Sequence, residues 1–540
     1  MSTQAGSSRV TDARTGLRHR LDPSLAVALV GVASAAVATW VVLSGVRGSG
    51  HRLVRDFVTV PVPAAPESLL PRTASALRAW PLDAIAWAAS WVLPTAVQQV
   101  VLLALCLLIA GVGAGLVVRR AGAAAALAAA WVAIWNPYVT ERLLLGQVPT
   151  LLGYACLPWI VVVGRSRLTP GRRLALLVLV AAPAAVTPWG GVTALVAAVL
   201  VELSRPDRNA RRVLLVAALG AVWCSPWLLP ALLVGGVPAD PDGPVAFALA
   251  DDSGLGTWAS ALMGGGVWAS GAQPLSRTDP VAITSSLVLL AMAMGGVAVL
   301  AGRSLTRALV ALSLLVAPAT LAWCASGPGL DALVTLQQVP GLAMLRDQHR
   351  MLAPSVMAAA VLVGVTVGWV GTHGGAAASA LVAVLVVALS VASVADLPKS
   401  MQMAYRSVDY PAEWEAVIDV VSAGGTSPTV LSLPWQPLRR PEWAGGPAFL
   451  DPLARALPGT VLGSTALSVA RDGTLVVVDD APTTEAWGTG EVSSLSLRRH
   501  GVTTVVEWLG TPGVLPTSHD GWQLVHSGAG FRVWDVTSAK

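Results

Sequence analysis

Apolar runs long enough to cross a bilayer recur along most of this chain. The first is Ser24 to Val46, and others lie near 96–118, 121–139, 149–164, 213–234, 281–301, 308–326, 351–370 and 376–395. A hydrocarbon core about 30 Å thick takes roughly 20 helical residues to span. Inside lipid each backbone N–H and C=O must be paired within its own segment, so helices are expected here. The composition agrees: of 540 residues 54% are hydrophobic and 12% charged, about half the charged share of an ordinary soluble domain. A plain cytosolic enzyme is excluded.

The stretch 174–203 is interrupted by Thr187-Pro188-Trp189-Gly190-Gly191. Arginines flank it on both sides: Arg165, Arg167, Arg172 and Arg173 before it, Arg205, Arg208, Arg211 and Arg212 after it. A hairpin of two short helices keeps both clusters on one side of the membrane. Counting that hairpin as two predicts about 11 spans, with the N-terminus inside and the C-terminus outside. Arg9, Arg14, Arg18, Arg20, Arg119, Arg120, Arg303 and Arg307 then join the two clusters on the inner side, as the positive-inside bias requires. The inner loop Gly371 to Gly375 carries only His373. The run 24–46 is too long for a signal-peptide core and has no convincing cleavage site, so it reads as an uncleaved first span.

Three outer segments follow from this topology. The first, 47–95, contains the amphipathic-looking stretch Ala79 to Trp87, whose tryptophans suit the headgroup region. The others are 235–280, rich in Gly, Asp and Pro, and 327–350. After Asp396 the apolar pattern stops. A helix is predicted from Pro411, and strands near 429–433, 475–478, 502–507, 522–525 and 531–536, the last two joined by a hairpin signal at His526 to Gly530. The predicted fold is an all-α polytopic membrane bundle over 24–396, after a cytoplasmic tail 1–23, followed by a small extracytoplasmic α/β domain over 397–540.

A net charge of +5 with a pI near 9.4 would raise a nucleic-acid partner in a soluble protein. Here the arginines sit in short loops between apolar runs, so they read as a topology signal and no nucleic acid is expected. Cys106, Cys156, Cys224 and Cys324 all fall in apolar stretches, which supports neither a disulfide framework nor a zinc site. The outer loop with Asp240, Asp242, Asp251 and Asp252 offers oxygen ligands but lacks the spacing of a calcium loop. It reads as a solvated, mobile loop; a divalent cation is unsupported and no cofactor is identified. Phosphate-binding and dinucleotide-binding glycine motifs are absent, which disfavours ATP-driven transport by this chain alone.

Charges beside or within spans are costly and call for a functional hypothesis. Arg55-Asp56 follows the first span on the outer side, where a carboxylate can act as general base on an acceptor hydroxyl; the alternative is a loop aspartate paired with Arg55 or Arg52. Glu141-Arg142 lies in a segment that links two apolar helices without becoming a polar loop. Pro137 ends the first of these, and the pair either binds a polar ligand group or holds the bundle together. The segment Arg346-Asp347-Gln348-His349-Arg350 precedes another span. Arg346 and Arg350, four apart, share a face if the segment is α-helical and there grip a phosphate, with His349 as a further donor; the alternative is an interfacial charged collar.

These residues carry a resemblance. Arg55-Asp56-Phe57-Val58-Thr59-Val60-Pro61, Asn136-Pro137-Tyr138 with Glu141-Arg142-Leu143 and Gly146-Gln147, the segment Leu345 to Arg350, and Tyr410-Pro411-Ala412-Glu413-Trp414 resemble a group of actinobacterial multi-pass membrane proteins of poorly defined function. In architecture the chain is similar to the GT-C superfamily of glycosyltransferases, which take sugars from polyprenyl-phosphate donors at the outer membrane face. The resemblance implies Asp56 as the catalytic base. It implies Arg346, Arg350 and Arg142 at the lipid phosphate, and Arg55, Glu141, Asp347 and His349 as further substrate-binding candidates. Asp56 stands alone, where the commonest GT-C pattern has an acidic pair.

The expected function is transfer from a polyprenyl-phosphate-linked sugar to an envelope glycan acceptor, in the bacterial cell membrane. The alternatives are a transporter or flippase of lipid-linked glycans gated at Glu141 and Arg142, and a non-catalytic membrane scaffold for envelope assembly.

Overall fold

The computed structural model describes residues 23–66, 80–234, 240–339, 341–425, 427–471, 474–478 and 485–537. The tail with Arg9, Arg14, Arg18 and Arg20 lies outside them. The apolar runs are helical: Pro23–Leu43, Thr95–Val118, Ala123–Ile134, Val148–Gly164, Ala210–Val234, Pro280–Ala301, Leu305–Trp323 and Ala353–Ser393. Among the described residues seven helices are long and apolar enough to cross a membrane, and Val148–Gly164 and Pro188–Leu203 are shorter apolar ones. The expected count of 11 is therefore not reached by that measure.

Part of the difference lies at Gly371 to Gly375, where a loop was expected. The chain stays helical up to Gly375, which alone leaves helical geometry at φ 84°. The Ser379 hydroxyl donates to the Val367 carbonyl at 2.9 Å, twelve residues back. A straight helix would hold those residues about 18 Å apart, so the chain reverses on one glycine. The 174–203 stretch breaks where its sequence predicts, into Pro170–Ala181, a 3₁₀ turn and Pro188–Leu203. Thr187 caps the second helix by accepting from the Gly190 N–H at 3.1 Å, and Pro188 occupies its first position.

Pro226 and Pro230 lie inside Ala210–Val234. Pro230 has no N–H to give the Pro226 carbonyl one turn back. The Trp80 indole N–H fills that place at 2.5 Å, which ties the connection between the first two long helices to the bundle. Ala123–Ile134 is the central helix, buried on nearly every side and packed on Pro23–Leu43, Thr95–Val118 and Ala353–Ser393. Its alanines allow that close approach.

The C-terminal part contains strands β1 (Thr429–Leu433), β2 (Leu438–Arg439), β3 (Phe449–Leu450), β4 (Thr460–Leu462), β5 (Leu467–Arg471), β6 (Thr474–Val478), β7 (Thr504–Trp508), β8 (Gln523–Ser527) and β9 (Phe531–Asp535). The main sheet runs β4-β1-β7-β9-β8, parallel across β4, β1 and β7 and antiparallel across β7, β9 and β8. Helix Glu413–Ala423 covers it through Trp414, Val417 and Val421. The expected strands are present within about two residues, an ordinary boundary error. Just past the change of composition at 397, Leu397, Met401 and Tyr405 are buried in the main apolar core of the helices.

The C-terminal domain sits on the segment that follows the first helix. His51 and Val408 exchange backbone bonds at 2.7 and 2.9 Å, Arg55 N–H donates to the Ala448 carbonyl at 3.0 Å, and Leu450 N–H donates to the Arg55 carbonyl at 2.7 Å. Val60 of that segment is part of the domain's own core. On another side Ala246 and Phe247 pack against Val469 and Val478 of the β5–β6 hairpin. Residues 51–60 are therefore clamped between bundle and domain.

Candidate active site

Asp56 stands at the tip of a tight turn. Val54 and Phe57 exchange backbone bonds at 3.2 and 2.7 Å, and Arg55 takes a positive φ of 48°. That conformation is uncommon for a residue with a side chain; the bonds to Ala448 and Leu450 hold it. The turn leaves the Asp56 carboxylate exposed, and Gln147 Nε2 donates to its Oδ2 at 3.3 Å.

Gln147 comes from the end of the Pro137–Leu144 helix. Asn136 caps that helix by accepting from the Val139 N–H at 2.9 Å. Gly146 follows it with φ 69°, and a β-carbon there would collide with the Val54 carbonyl oxygen. Only glycine allows the two turns to meet. The Gln147 carboxamide has one possible orientation, because Oε1 accepts from Arg142 Nη1 at 2.5 Å and from Arg350 Nε at 3.4 Å. Arginine only donates, so the amide NH₂ must face Asp56.

Behind this lies a buried ionic network. Arg142 binds Asp347 with both terminal nitrogens, at 3.0 and 2.9 Å, and its Nη2 is 2.7 Å from His349 Nδ1. Since the guanidinium must donate, Nδ1 is the unprotonated nitrogen and Nε2 carries the hydrogen. Nε2 lies 2.9 Å from Glu141 Oε2, close in distance but out of line for a good hydrogen bond. Glu141 Oε2 accepts from the Val267 N–H at 3.0 Å. Arg277 lies 4.0 Å from the other Glu141 oxygen and binds Asp252 at 2.8 Å. Arg350 closes the outer side, 2.9 Å from Asp347.

Burial alone would raise the carboxyls of Asp347 and Asp252. For Asp347 the charges of Arg142 and Arg350, and for Asp252 that of Arg277, outweigh it and hold both well below the usual carboxylate range. Gly265 lets the loop approach: a β-carbon there would collide with Asp252, Arg277 and Glu141.

The eight site residues read from the sequence divide into two groups. Glu141, Arg142, Asp347 and His349 are buried, and both terminal nitrogens of Arg142 are taken up by protein partners. All four lie inside the protein, where Arg142, expected at a lipid phosphate, faces Asp347, Gln147 and His349. Asp56, Arg55, Arg346 and Arg350 reach the surface. The expected shared face of Arg346 and Arg350 is corrected. Leu342–Arg346 and Gln348–Leu352 are separate 3₁₀ turns, broken at Asp347, where ψ is 88°. Arg346 points over the Phe247 ring at 5.0 Å, while Arg350 turns to Asp347 and Gln147.

Several residues escaped the sequence reading. The acidic loop is ordered where described: Asp251 accepts from the N–H groups of Ser253, Gly254 and Gly256, and Asp252 is the counter-ion of Arg277. Asp83 in the amphipathic stretch binds Arg455 of the C-terminal domain at 3.1 Å. Burial works against the Arg455 charge, but Asp83 first, then Tyr410 and Asp56, more than offset it. No local pattern marks these pairs. No group of three or more metal-ligating side chains occurs among the described residues.

No protein-family model and no curated protein matches the chain. Among solved structures, 94% of the chain superimposes on the arabinofuranosyltransferase AftD from Mycobacteria, with TM-score 0.58 and 15% identity. A second AftD structure, of a variant, gives 0.55 and 16% over 94%. The chain therefore shares a fold with this part of AftD. The chain spans about two-fifths of AftD, 40% in the first structure and 41% in the second. An archaeal oligosaccharyltransferase from Archaeoglobus fulgidus aligns over 95% of the chain and 73% of its own, at 12% identity and TM-score 0.39, too low to add to the argument. Within this fold the polar cluster sits where the helical bundle, the segment 51–60 and the C-terminal domain meet.

Proposed function

We propose that the chain is a GT-C-type membrane glycosyltransferase that uses a polyprenyl-phosphate-linked sugar in cell-envelope glycan assembly. The C-terminal domain then lies outside the cytoplasmic membrane and the N-terminus inside. The observation that carries this reading is the exposed Asp56 carboxylate, oriented by Gln147, beside the half-exposed Arg350. An acceptor hydroxyl attacks the anomeric carbon and gives its proton to Asp56. The bond from that carbon to the phosphate oxygen breaks, and the lipid phosphate leaves with the electron pair, its charge met by Arg350. Arg55 and Arg346 line the approach, while Glu141, Arg142, Asp347 and His349 hold the framework.

Two further observations support it. An apolar cleft lined by Pro137, Leu289, Leu315, Pro318, Val356 and Val363 begins at Asn136, at the foot of the helix that bears Arg142; its chemistry suits an isoprenoid tail. AftD is an arabinofuranosyltransferase, which favours sugar transfer over the transport and scaffold alternatives.

The test is Asp56→Asn in membranes supplied with a polyprenyl-phosphate-linked sugar and a glycan acceptor. Transfer should fall by about 10²–10⁴-fold, the usual contribution of a general base, with unchanged thermal stability. Equal rates in a working assay would remove Asp56 as the base.

A further inference from the structure

The end of the bundle remote from Asp56 is strongly basic. Thr95–Val118 starts beside His51 and ends at Arg119, Val148–Gly164 starts beside Gln147 and ends at Arg165, and Pro280–Ala301 starts beside Arg277 and ends near Arg303. Between 165 and 212 lie eight arginines and two acids, Glu202 and Asp207. Burial first, then Arg307 and Arg120, lowers the Arg165 guanidinium below its usual range, so these arginines share one field.

Within this surface is a pocket lined by Pro170, Gly171, Arg173, Glu202, Arg212 and Leu215. Glu202 is 2% exposed and faces both arginines. Both contacts are long: Arg173 Nη2 donates to the two Glu202 oxygens at 3.4 and 3.5 Å and Arg212 Nε lies 3.5 Å away, against about 2.7–2.9 Å for a well-formed charge-assisted bond. Arg205 and Arg212 share Asp207, at 2.8 and 3.1 Å. Leu174, Leu177 and Val216 make the pocket's other wall. The neighbouring Leu176, Leu179 and Leu214 are exposed at 36, 66 and 70%, so that wall continues onto helix faces suited to lipid.

We infer that this pocket binds the headgroup of an anionic phospholipid, with Arg212 of its lining on the phosphate, the exposed Arg172 and Arg211, next in sequence to lining residues, at its rim, and the leucine wall against an acyl chain. The shared chemistry is a phosphate, and the apolar wall selects the lipid form over a free anion. Arginine suits it because its planar fork pairs two phosphate oxygens, and basic pockets between membrane helices are known to hold such headgroups. A pure topology signal needs arginines on this side but no pocket, no leucine wall and no internal glutamate.

The test is native mass spectrometry of the purified protein from nanodiscs of equal phosphatidylglycerol and phosphatidylcholine. Phosphatidylglycerol should be retained in severalfold excess. Glu202→Gln, which removes the internal anion, should raise that excess, and Arg212→Gln should lower it. Because both touch a buried pair, Arg172→Gln/Arg211→Gln at exposed positions provides a variant that keeps the fold; it too should lower retention. Arg303→Gln/Arg307→Gln, outside the pocket, should not. Equal retention of both lipids, or equal effects of the two double variants, would overturn the site. Stabilisation by inorganic phosphate alone, matching that by the lipid, would overturn the lipid assignment.

Discussion

Arg142 and Asp347, 205 positions apart, form a two-bonded ion pair at 2.9 and 3.0 Å inside the bundle, with side chains 0 and 5% exposed. Two surface-reaching groups of the candidate site, Arg350 and Asp56, lean on it. Arg350 pairs with the same aspartate, and Gln147 takes a bond from the same arginine before reaching Asp56.

Breaking that pair should be costly. Asp347→Asn leaves the buried Arg142 without its counter-ion, which costs about 3–5 kcal/mol; Arg142→Met, which leaves Asp347 paired with Arg350 alone, should cost less. The double variant Arg142→Met/Asp347→Leu should lose less stability than the two single losses added together. Thermal unfolding in detergent measures all three; a single variant as stable as the parent would contradict the arrangement.

Arg350 should bear on the donor specifically. Losing one charge-assisted contact of about 1.5–3 kcal/mol predicts that Arg350→Gln raises KM for a polyprenyl-phosphate-linked sugar by roughly 10–100-fold. Steady-state kinetics with a soluble short-chain donor decides it, and an unchanged KM would move the phosphate elsewhere.

Gly146→Ala should uncouple Gln147 from Asp56. The positive φ and the collision with the Val54 carbonyl place it among substitutions that cost about 1–3 kcal/mol. Transfer should drop further than that stability loss alone explains. A variant that melts lower but keeps the parent kcat would show that the turn contact is only structural.

Acid should loosen the seat of the C-terminal domain. Burial first, with help from Arg52 and opposition from Asp409, pushes the His51 imidazole down to about 4. The folded protein thus keeps His51 neutral, while the unfolded chain takes up a proton below about 6.5. Stability should therefore fall as pH drops from about 6.5 towards 4, and stay level in this respect above that window. Melting curves across pH 4.5–7.5 measure it, and His51→Gln should flatten the slope; a parent slope unchanged by that substitution would contradict the assignment.

Much of the fold is legible in the sequence because spans and strands are local patterns. The apolar runs, the break at Thr187-Pro188 and the hairpin at His526 to Gly530 each rest on a few adjacent residues. The partners are not legible. Nothing near Glu141 announces Arg277, and nothing near Asp83 announces Arg455, since those contacts exist only once distant helices and loops have packed. The segment Arg346 to Arg350 is the instructive failure. A helical period pairs its two arginines, but Asp347 has to turn inward to meet Arg142, and that turn sends Arg346 to Phe247 and Arg350 to Gln147.

The most direct measurement is a cryo-EM structure of the protein in nanodiscs with a non-hydrolysable polyprenyl-phosphate sugar analogue. The account predicts the phosphate against Arg350, the isoprenoid in the cleft between Leu289, Leu315 and Val356, and the sugar's anomeric carbon on the Asp56 side of Gln147. Density for the analogue anywhere that leaves Asp56 and Arg350 facing solvent would contradict it.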